Sequence, residues 1–321
     1  MKFLSELFEG GTNATQKKKK VTFYCICLTL ALIAVMLLIL AAFGVSQLIS
    51  DLAEADVQSE PNVQVSIGAT ETITLDAASI HSGNLLILDN AHRYQEGDPD
   101  TVIIRAYEGR PKTQTGSNVY SIVSRGVSEE LDFRGTSEAV NALNLMMADF
   151  YAAKADDNLC ITRAYTLASK DTTDAPFTAA TSFELEYYYE YPGEIRGIYG
   201  VEKYEWIYVN AYKYGFVNID DPSASEDGGS GIFRYVGVAH ATYMKAKKLS
   251  LPAYLEQLRT ATPDAPLLTK VGKITYASYY LSADGEILVP TEHEYTVSGN
   301  NTDGYIVTAS ITKTAAKATD G

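Results

Sequence analysis

From Val21 to Ser50 the chain carries no charged side chain, and Val21 to Val45 is strongly apolar. A helix needs about 20 such residues to cross a bilayer core. The run is long enough, so a transmembrane helix is expected over 21–45. Lys17 to Lys20 stand directly before it. The positive-inside bias places these lysines, with the arm 1–20, in the cytoplasm and the rest of the chain outside. A cleaved signal peptide is the competing reading, but its apolar region is about 7–15 residues long. The longer run favours an uncleaved single-pass anchor, which makes the membrane the first expected partner.

Charge separates the two parts. The 321 residues hold 26 basic and 40 acidic side chains, a net of −14. Lys2 and Lys17 to Lys20 against Glu6 and Glu9 leave the first fifty residues at +3, so the remainder carries −17. Phosphate backbones need the opposite sign, which argues against a nucleic-acid partner. Two of the three cysteines, Cys25 and Cys27, lie in the apolar run and leave Cys160 alone. That excludes a disulfide within the outer part and a cysteine-based zinc site.

Residues 46–77 read as a stalk or linker: Asp51 to Glu60 is acidic and ends at Pro61. Val63, Val65 and Ile67 alternate, and Ile73 and Leu75 do so again, as strands do. Asn84 to Asn90 is an apolar run between turn residues and predicts a buried strand. Val102 to Ala106 and Val119 to Val123 are weaker strand signals. Ala139, Val140, Leu143, Met146, Met147, Phe150 and Tyr151 recur at three and four, so a helix is predicted over Thr136 to Lys154 with Thr136 or Ser137 as cap. Leu159 to Thr162 reads as a central strand, and Tyr187 to Tyr191 begins an aromatic-rich middle.

A second helical pattern runs from Tyr204 through Ile207, Tyr208, Ala211 and Tyr214, and Gly215 stops it. A strand start at Phe216-Val217 follows, then an acidic, Gly-rich loop from Asp220 to Gly231. Phe233-Arg234-Tyr235-Val236-Gly237 reads as a strand, Val238 to Lys248 as a helix, and Ser250 as the cap of a last short helix with Pro252 in its first turn. Lys270 to Leu281 alternates at period two, Asp284-Gly285 is a hairpin signal, and Ile287 to Val289 starts the return strand. Tyr295 to Ser298 and Tyr305 to Ile311 complete a small antiparallel set, with a turn-rich word from Ser298 to Gly304 between them.

Three features resemble the membrane-anchored zinc D-alanyl-D-alanine carboxypeptidases, the type that trims cell-wall peptides in vancomycin-resistant bacteria. They are Asn210-Ala211-Tyr212-Lys213-Tyr214-Gly215-Phe216, then Phe233-Arg234-Tyr235-Val236-Gly237, then the helix from Leu251 to Leu255. The resemblance runs from about Ser79 to Ile311. It implies an α+β fold of the hedgehog/DD-peptidase type, an antiparallel sheet with packed helices, and an N-terminal transmembrane helix and small β additions outside it. The implied division is a peptidase-like domain over 78–260, a C-terminal β extension over 261–313 and a tail over 314–321.

The resemblance also implies a site. In that family the residues before the Phe-Arg-Tyr-Val-Gly word are Glu-Pro-Trp-His, which supply the general base and a zinc ligand. Gly229, Ser230, Gly231 and Ile232 hold those places here. The family's other ligand word is Ser-x-His-x-x-Gly-x-Ala-x-Asp. In the best register Phe177 takes its histidine place and Glu184 its aspartate place. An upstream arginine grips the substrate in the family. Tyr165 stands there, with Arg163 displaced by two onto the same strand face.

A zinc peptidase needs neutral imidazoles or carboxylates converging on one point, with a position left open for water. Of Phe177, Glu184 and Ile232, only Glu184 can bind a metal. The histidines, His81, His92, His240 and His293, all lie outside 93–239, where both ligand words belong. His240 reads as a surface or capping residue and His293 as part of a solvated strand. Gly228 to Gly231 is neither a phosphate loop nor a serine-hydrolase elbow. Glu184 and Glu226 read as solvated acids rather than a working pair.

The reading that follows is a cell-surface protein of a bacterial plasma membrane with a carboxypeptidase-like groove and no catalytic residues. It expects no cofactor and no metal. The groove candidates are Arg163, Tyr165, Phe177, Glu184 and Phe233, and the expected partners are a peptidoglycan stem peptide or an active carboxypeptidase. Two alternatives remain: a working peptidase holding zinc with rebuilt ligands around Glu184, and a purely structural surface protein.

Overall fold

A side-chain cap starts the longest of the described helices. In the computed structural model, Thr136 takes an extended conformation and its Oγ1 accepts from the Ala139 N–H at 3.3 Å. Such a cap is worth about 1 kcal/mol. Helix α1, Ser137–Lys154, then buries Ala139, Val140, Leu143, Met146, Met147 and Phe150 on one face and ends at Ala155 in the left-handed region. The model describes residues 67–89, 91–92, 94–95, 101–106, 133–156, 158–166, 175–189, 194–220 and 231–311. All of them belong to one compact unit, Val57–Gly321. The arm, the apolar run, most of the stalk, the strand signal at Val119 to Val123 and the tail lie outside the described residues. No helix among the described residues is long and apolar enough to cross a membrane.

Thirteen strands are described. Three are short and early: β1 (Thr70–Ile73), β2 (Ile103–Arg105) and β3 (Arg134–Thr136). After α1 come β4 (Leu159–Ala164), the short helix α2 (Ala175–Thr178), β5 (Ser182–Tyr189) and β6 (Glu194–Gly197). Helix α3 (Glu205–Asn210) has 3-10 turns on both sides, the second ending at Gly215 with φ 87°, a conformation glycine adopts without strain. Then follow β7 (Phe216–Asn218), β8 (Gly231–Tyr235), α4 (Val238–Lys247) and α5 (Leu251–Leu258), which Ser250 caps. The last strands are β9 (Leu267–Val271), β10 (Ile274–Ser282), β11 (Ile287–Pro290), β12 (Tyr295–Gly299) and β13 (Gly304–Ser310). This is the α+β class expected.

Two sheets matter most. One is antiparallel in the order β4-β5-β8-β7, with β6 also on β5; the other runs β12-β13-β10-β9. Helix α1 packs behind the first sheet, where Leu159, Ile161, Phe183, Leu185, Phe216 and Phe233 join it in one core. A second core combines Val236, Ala241, Tyr243 and Met244 with Leu251, Tyr254 and Leu255, and adds Ala277, Tyr279, Val307 and Ala309 from the second sheet.

Several expectations are corrected. Leu159 to Thr162 is an edge strand of its sheet, not a central one. Its first three residues are fully buried, and an apolar run reports burial rather than place in the order. Asn84 to Asp89 buries Leu85 and Leu86 but joins no ladder. Instead Leu85 N–H donates to Ser298 Oγ at 3.0 Å and Ile87 N–H to the Asn300 carbonyl at 3.1 Å. Lys270 to Leu281 is not one strand, because a turn at Gly272 (φ 59°) folds β9 onto β10. The turn at Asp284-Gly285 forms, but β11 pairs with β1 rather than returning on β10.

Candidate functional site

The sheet's register sets the site. On β5, Phe183 and Leu185 enter the core, so alternation turns Ser182, Glu184 and Glu186 to the other face. Across β8, Ser182 faces Arg234, Phe183 faces Phe233, Glu184 faces Ile232 and Leu185 faces Gly231. Ile232 and Arg234 therefore share the face of Glu184 and Ser182. On the other side, β4 shifts register between Ile161 and Arg163, which brings Arg163 opposite Glu184. The irregularity re-aims one side chain, as bulges do.

Arg163 Nε lies 3.2 Å from Glu184 Oε2. Its guanidinium also lies 4.4 Å from the centre of the Phe177 ring, which is buried in α2. Three of the expected groove residues thus come together. Tyr165 follows at the end of β4 and bridges Arg134, whose N–H donates to its carbonyl at 2.8 Å. Phe233 is corrected: it lies on the core side, 1% exposed, opposite Phe183 and against Tyr208. Gly229 lies outside the described residues.

Sequence reasoning missed other members of this face. Asp220 Oδ1 accepts from the Ile232 N–H at 3.0 Å and from Asn218. Burial pushes its carboxyl above the usual range, and the nearby Glu184 charge adds to this. Burial raises Glu186 as well. It also raises the Cys160 thiol to about 12, with help from the Glu186 charge. Arg234 is 3% exposed, and burial alone pulls it down to about 10. The only signal for Asp220 was its place at the start of an acidic, Gly-rich loop.

These residues do not fit a zinc centre. Ile232 and Phe177 offer no donor atom, and Glu184 is engaged by Arg163. Among the described residues no three His, Cys, Asp or Glu side chains form a group able to hold a metal. His240, expected at the surface, is buried instead. Its Nδ1 lies 2.8 Å from the Tyr254 hydroxyl and its Nε2 3.1 Å from Thr308 Oγ1, inside the second core's polar seam. His293 sits in a bend before β12 rather than in a strand. A cleft of about 690 Å³ is lined by residues such as Asn84, Glu138, Tyr235, His240 and Ser298. It contains neither Arg163 nor Glu184.

No family model matches the chain. Over 110 residues it is 34% identical to a D-alanyl-D-alanine carboxypeptidase of Enterococcus faecium, a stretch covering 32% of this chain and 35% of that protein. The chain thus spans about a third of the length of this curated relative. Among solved structures, the vancomycin-resistance D,D-dipeptidase VanXYg, in complex with a D-Ala-D-Ala phosphinate analogue, superposes with a TM-score of 0.56 at 19% identity. The match covers 76% of this chain and all of that one. A partial likeness to the LD-carboxypeptidase LdcB has a TM-score of 0.32 at 18% identity, over 41% of this chain and 73% of that one. The chain therefore shares its fold with a D,D-dipeptidase, and a third of its length is similar in sequence to a D-alanyl-D-alanine carboxypeptidase.

Proposed function

We propose that this chain is a cell-surface, carboxypeptidase-like protein that binds a peptidoglycan stem peptide in its groove without cleaving it. The observation that carries the reading is the set Phe177, Glu184 and Ile232. Two of these side chains have no donor for a metal, and the third is held by Arg163. The sheet face that remains offers a cation stacked on an aromatic ring and a row of carboxylates, which suits binding more than hydrolysis. The membrane anchor over 21–45 and the outward placement of the domain belong to the same proposal. So does the choice of a stem peptide over an active carboxypeptidase as partner.

A working peptidase is the second reading. The nearness of Asp220 to Glu184 favours it, since two carboxylates are a start toward a ligand set. Metal analysis of the purified full-length chain, paired with an assay for D-alanine release from a D-Ala-D-Ala-terminated pentapeptide, separates the two. The first reading expects no stoichiometric zinc, no release and saturable peptide binding. Stoichiometric zinc with release of D-alanine overturns it.

A further inference from the structure

The cleft of about 690 Å³ falls within the size range of small-molecule sites, about 300–1,000 Å³. Distant parts of the chain wall it: the segment from Ser79 to Leu86, the starts of α1 and α4, and strands β10, β12 and β13. Its lining includes none of Arg163, Phe177 and Glu184. Tyr235, which does line it, packs against the first core with Phe233, not on the sheet face of Glu184 and Ile232.

The lining sets the chemistry. Among the described residues it holds no lysine and no arginine, and Glu138 is its one carboxylate. Phosphates and carboxylates are gripped by those cations, so the cleft does not suit an anion. Glu138 Oε2 accepts from the Asn84 amide at 2.9 Å, and no group of described ligand side chains there can hold a metal. His240 has both ring nitrogens engaged, by Tyr254 and Thr308, so it is not free to act as a base.

What remains is a set of neutral hydrogen-bonding groups among apolar surfaces. Neither the Tyr235 nor the Tyr276 hydroxyl has a hydrogen-bond partner among the described residues. Burial pushes the Tyr235 hydroxyl up to about 12, with nearby Glu138 and Tyr276 adding to this, so it stays a neutral donor at ordinary pH. Gly237 gives α4 no side-chain cap, which leaves the first N–H groups of that helix, at Val238 to His240 along the cleft, without an intrahelical acceptor. A wholly apolar ligand would strip water from these groups and replace none of their bonds. A sugar ring meets both demands. It lays a C–H face on a tyrosine ring and carries hydroxyls around its edge.

We propose that this cleft binds an uncharged saccharide, with the Tyr235 and Tyr276 hydroxyls among its hydrogen-bond donors. The site goes beyond the stem-peptide reading and does not rest on it.

Calorimetry of the full-length chain with the N-acetylglucosamine trimer, maltotriose and inorganic phosphate tests it. One or both sugars should bind saturably, and phosphate should not displace them. A double variant, Tyr235→Phe with Tyr276→Phe, keeps both rings and removes both hydroxyls. It should lose about tenfold or more in sugar affinity while melting at the wild-type temperature without ligand. Thr296→Trp, which adds a large ring at the cleft from the exposed part of β12, should abolish binding. Failure of both sugars to bind overturns the proposal, as does undiminished binding by the double variant or by Thr296→Trp. A double variant that melts well below wild type also overturns it, since the fold itself would then use the hydroxyls. A D-Ala-D-Ala-terminated pentapeptide that displaces the sugar overturns the separate site. Sugar binding with no peptide binding leaves this site standing and removes the stem-peptide reading.

Discussion

Arg163 and Glu184 face each other across a register shift in the β4–β5 ladder, with Nε and Oε2 3.2 Å apart. The arginine is 43% exposed and the glutamate 15%. Solvent therefore screens one half of the pair, and its worth is expected near the surface value of about 1 kcal/mol or less. A double-mutant cycle with Arg163→Ala and Glu184→Gln, followed by urea unfolding, measures it. A coupling of about 3 kcal/mol or more would mean a desolvated pair, of the kind whose partners cannot be removed singly without severe cost.

Gly231 leaves room for its neighbours. A Cβ there would stand 2.4 Å from Phe233 Cε2 and 2.9 Å from the Tyr208 hydroxyl. Gly231→Ala should cost about 1–3 kcal/mol, as overpacking does, and Gly231→Trp more. Writing Glu-Pro-Trp-His into residues 229–232 should therefore destabilise the chain before any metal binds. Midpoints of chemical unfolding check this, and a Gly231→Ala variant as stable as wild type would remove the argument.

His240 predicts an acid-sensitive core. Burial brings its pKa from about 6.5 to about 4, so the folded protein keeps the ring neutral where the unfolded chain protonates it. Its contribution is full above about pH 6.5 and declines as pH falls toward 4. The slope is about 1.4 kcal/mol per pH unit, or about 3 kcal/mol in all. Stability measured from pH 7 to pH 4 should fall more steeply for wild type than for His240→Asn. Parallel curves would contradict the buried neutral ring.

Asp220 carries the opposite sign. Its carboxyl is raised in the folded state, chiefly by burial. Folding is therefore favoured below the ordinary carboxylate range and penalised as pH rises through the raised value. Asp220→Asn keeps an oxygen for the Ile232 N–H and removes the buried charge. It should melt higher than wild type at pH 7, with the advantage shrinking toward pH 4. A lower melting temperature at pH 7 would show that the charge itself is used.

Periodicity and capping made the frame legible. Helix α1 with its Thr136 cap, the Gly215 stop, the β8 word and the Ser250 cap all follow from local rules that leave a mark within a few residues. Pairing did not show. Nothing in Ile287 to Val289 says that β1 is its neighbour, because partner choice is set by the whole chain. The site was half visible: the resemblance pointed to Glu184 and Ile232, which the β5–β8 register sets opposite each other, while the shift that brings Arg163 opposite Glu184 has no sequence mark. His240 looked exposed because its partners, Tyr254 and Thr308, are 14 and 68 positions away.

The first described strand is stitched to β11, and Thr291 Oγ1 donates to the Ala69 carbonyl across 222 positions. During vectorial synthesis that strand waits, unpaired, until β11 has left the ribosome. Closure at such sequence separation is slow, and open edges invite wrong neighbours meanwhile. A chain released early would keep α1 and its sheet in sequence yet lack the clasp that joins its opening strand to its closing ones.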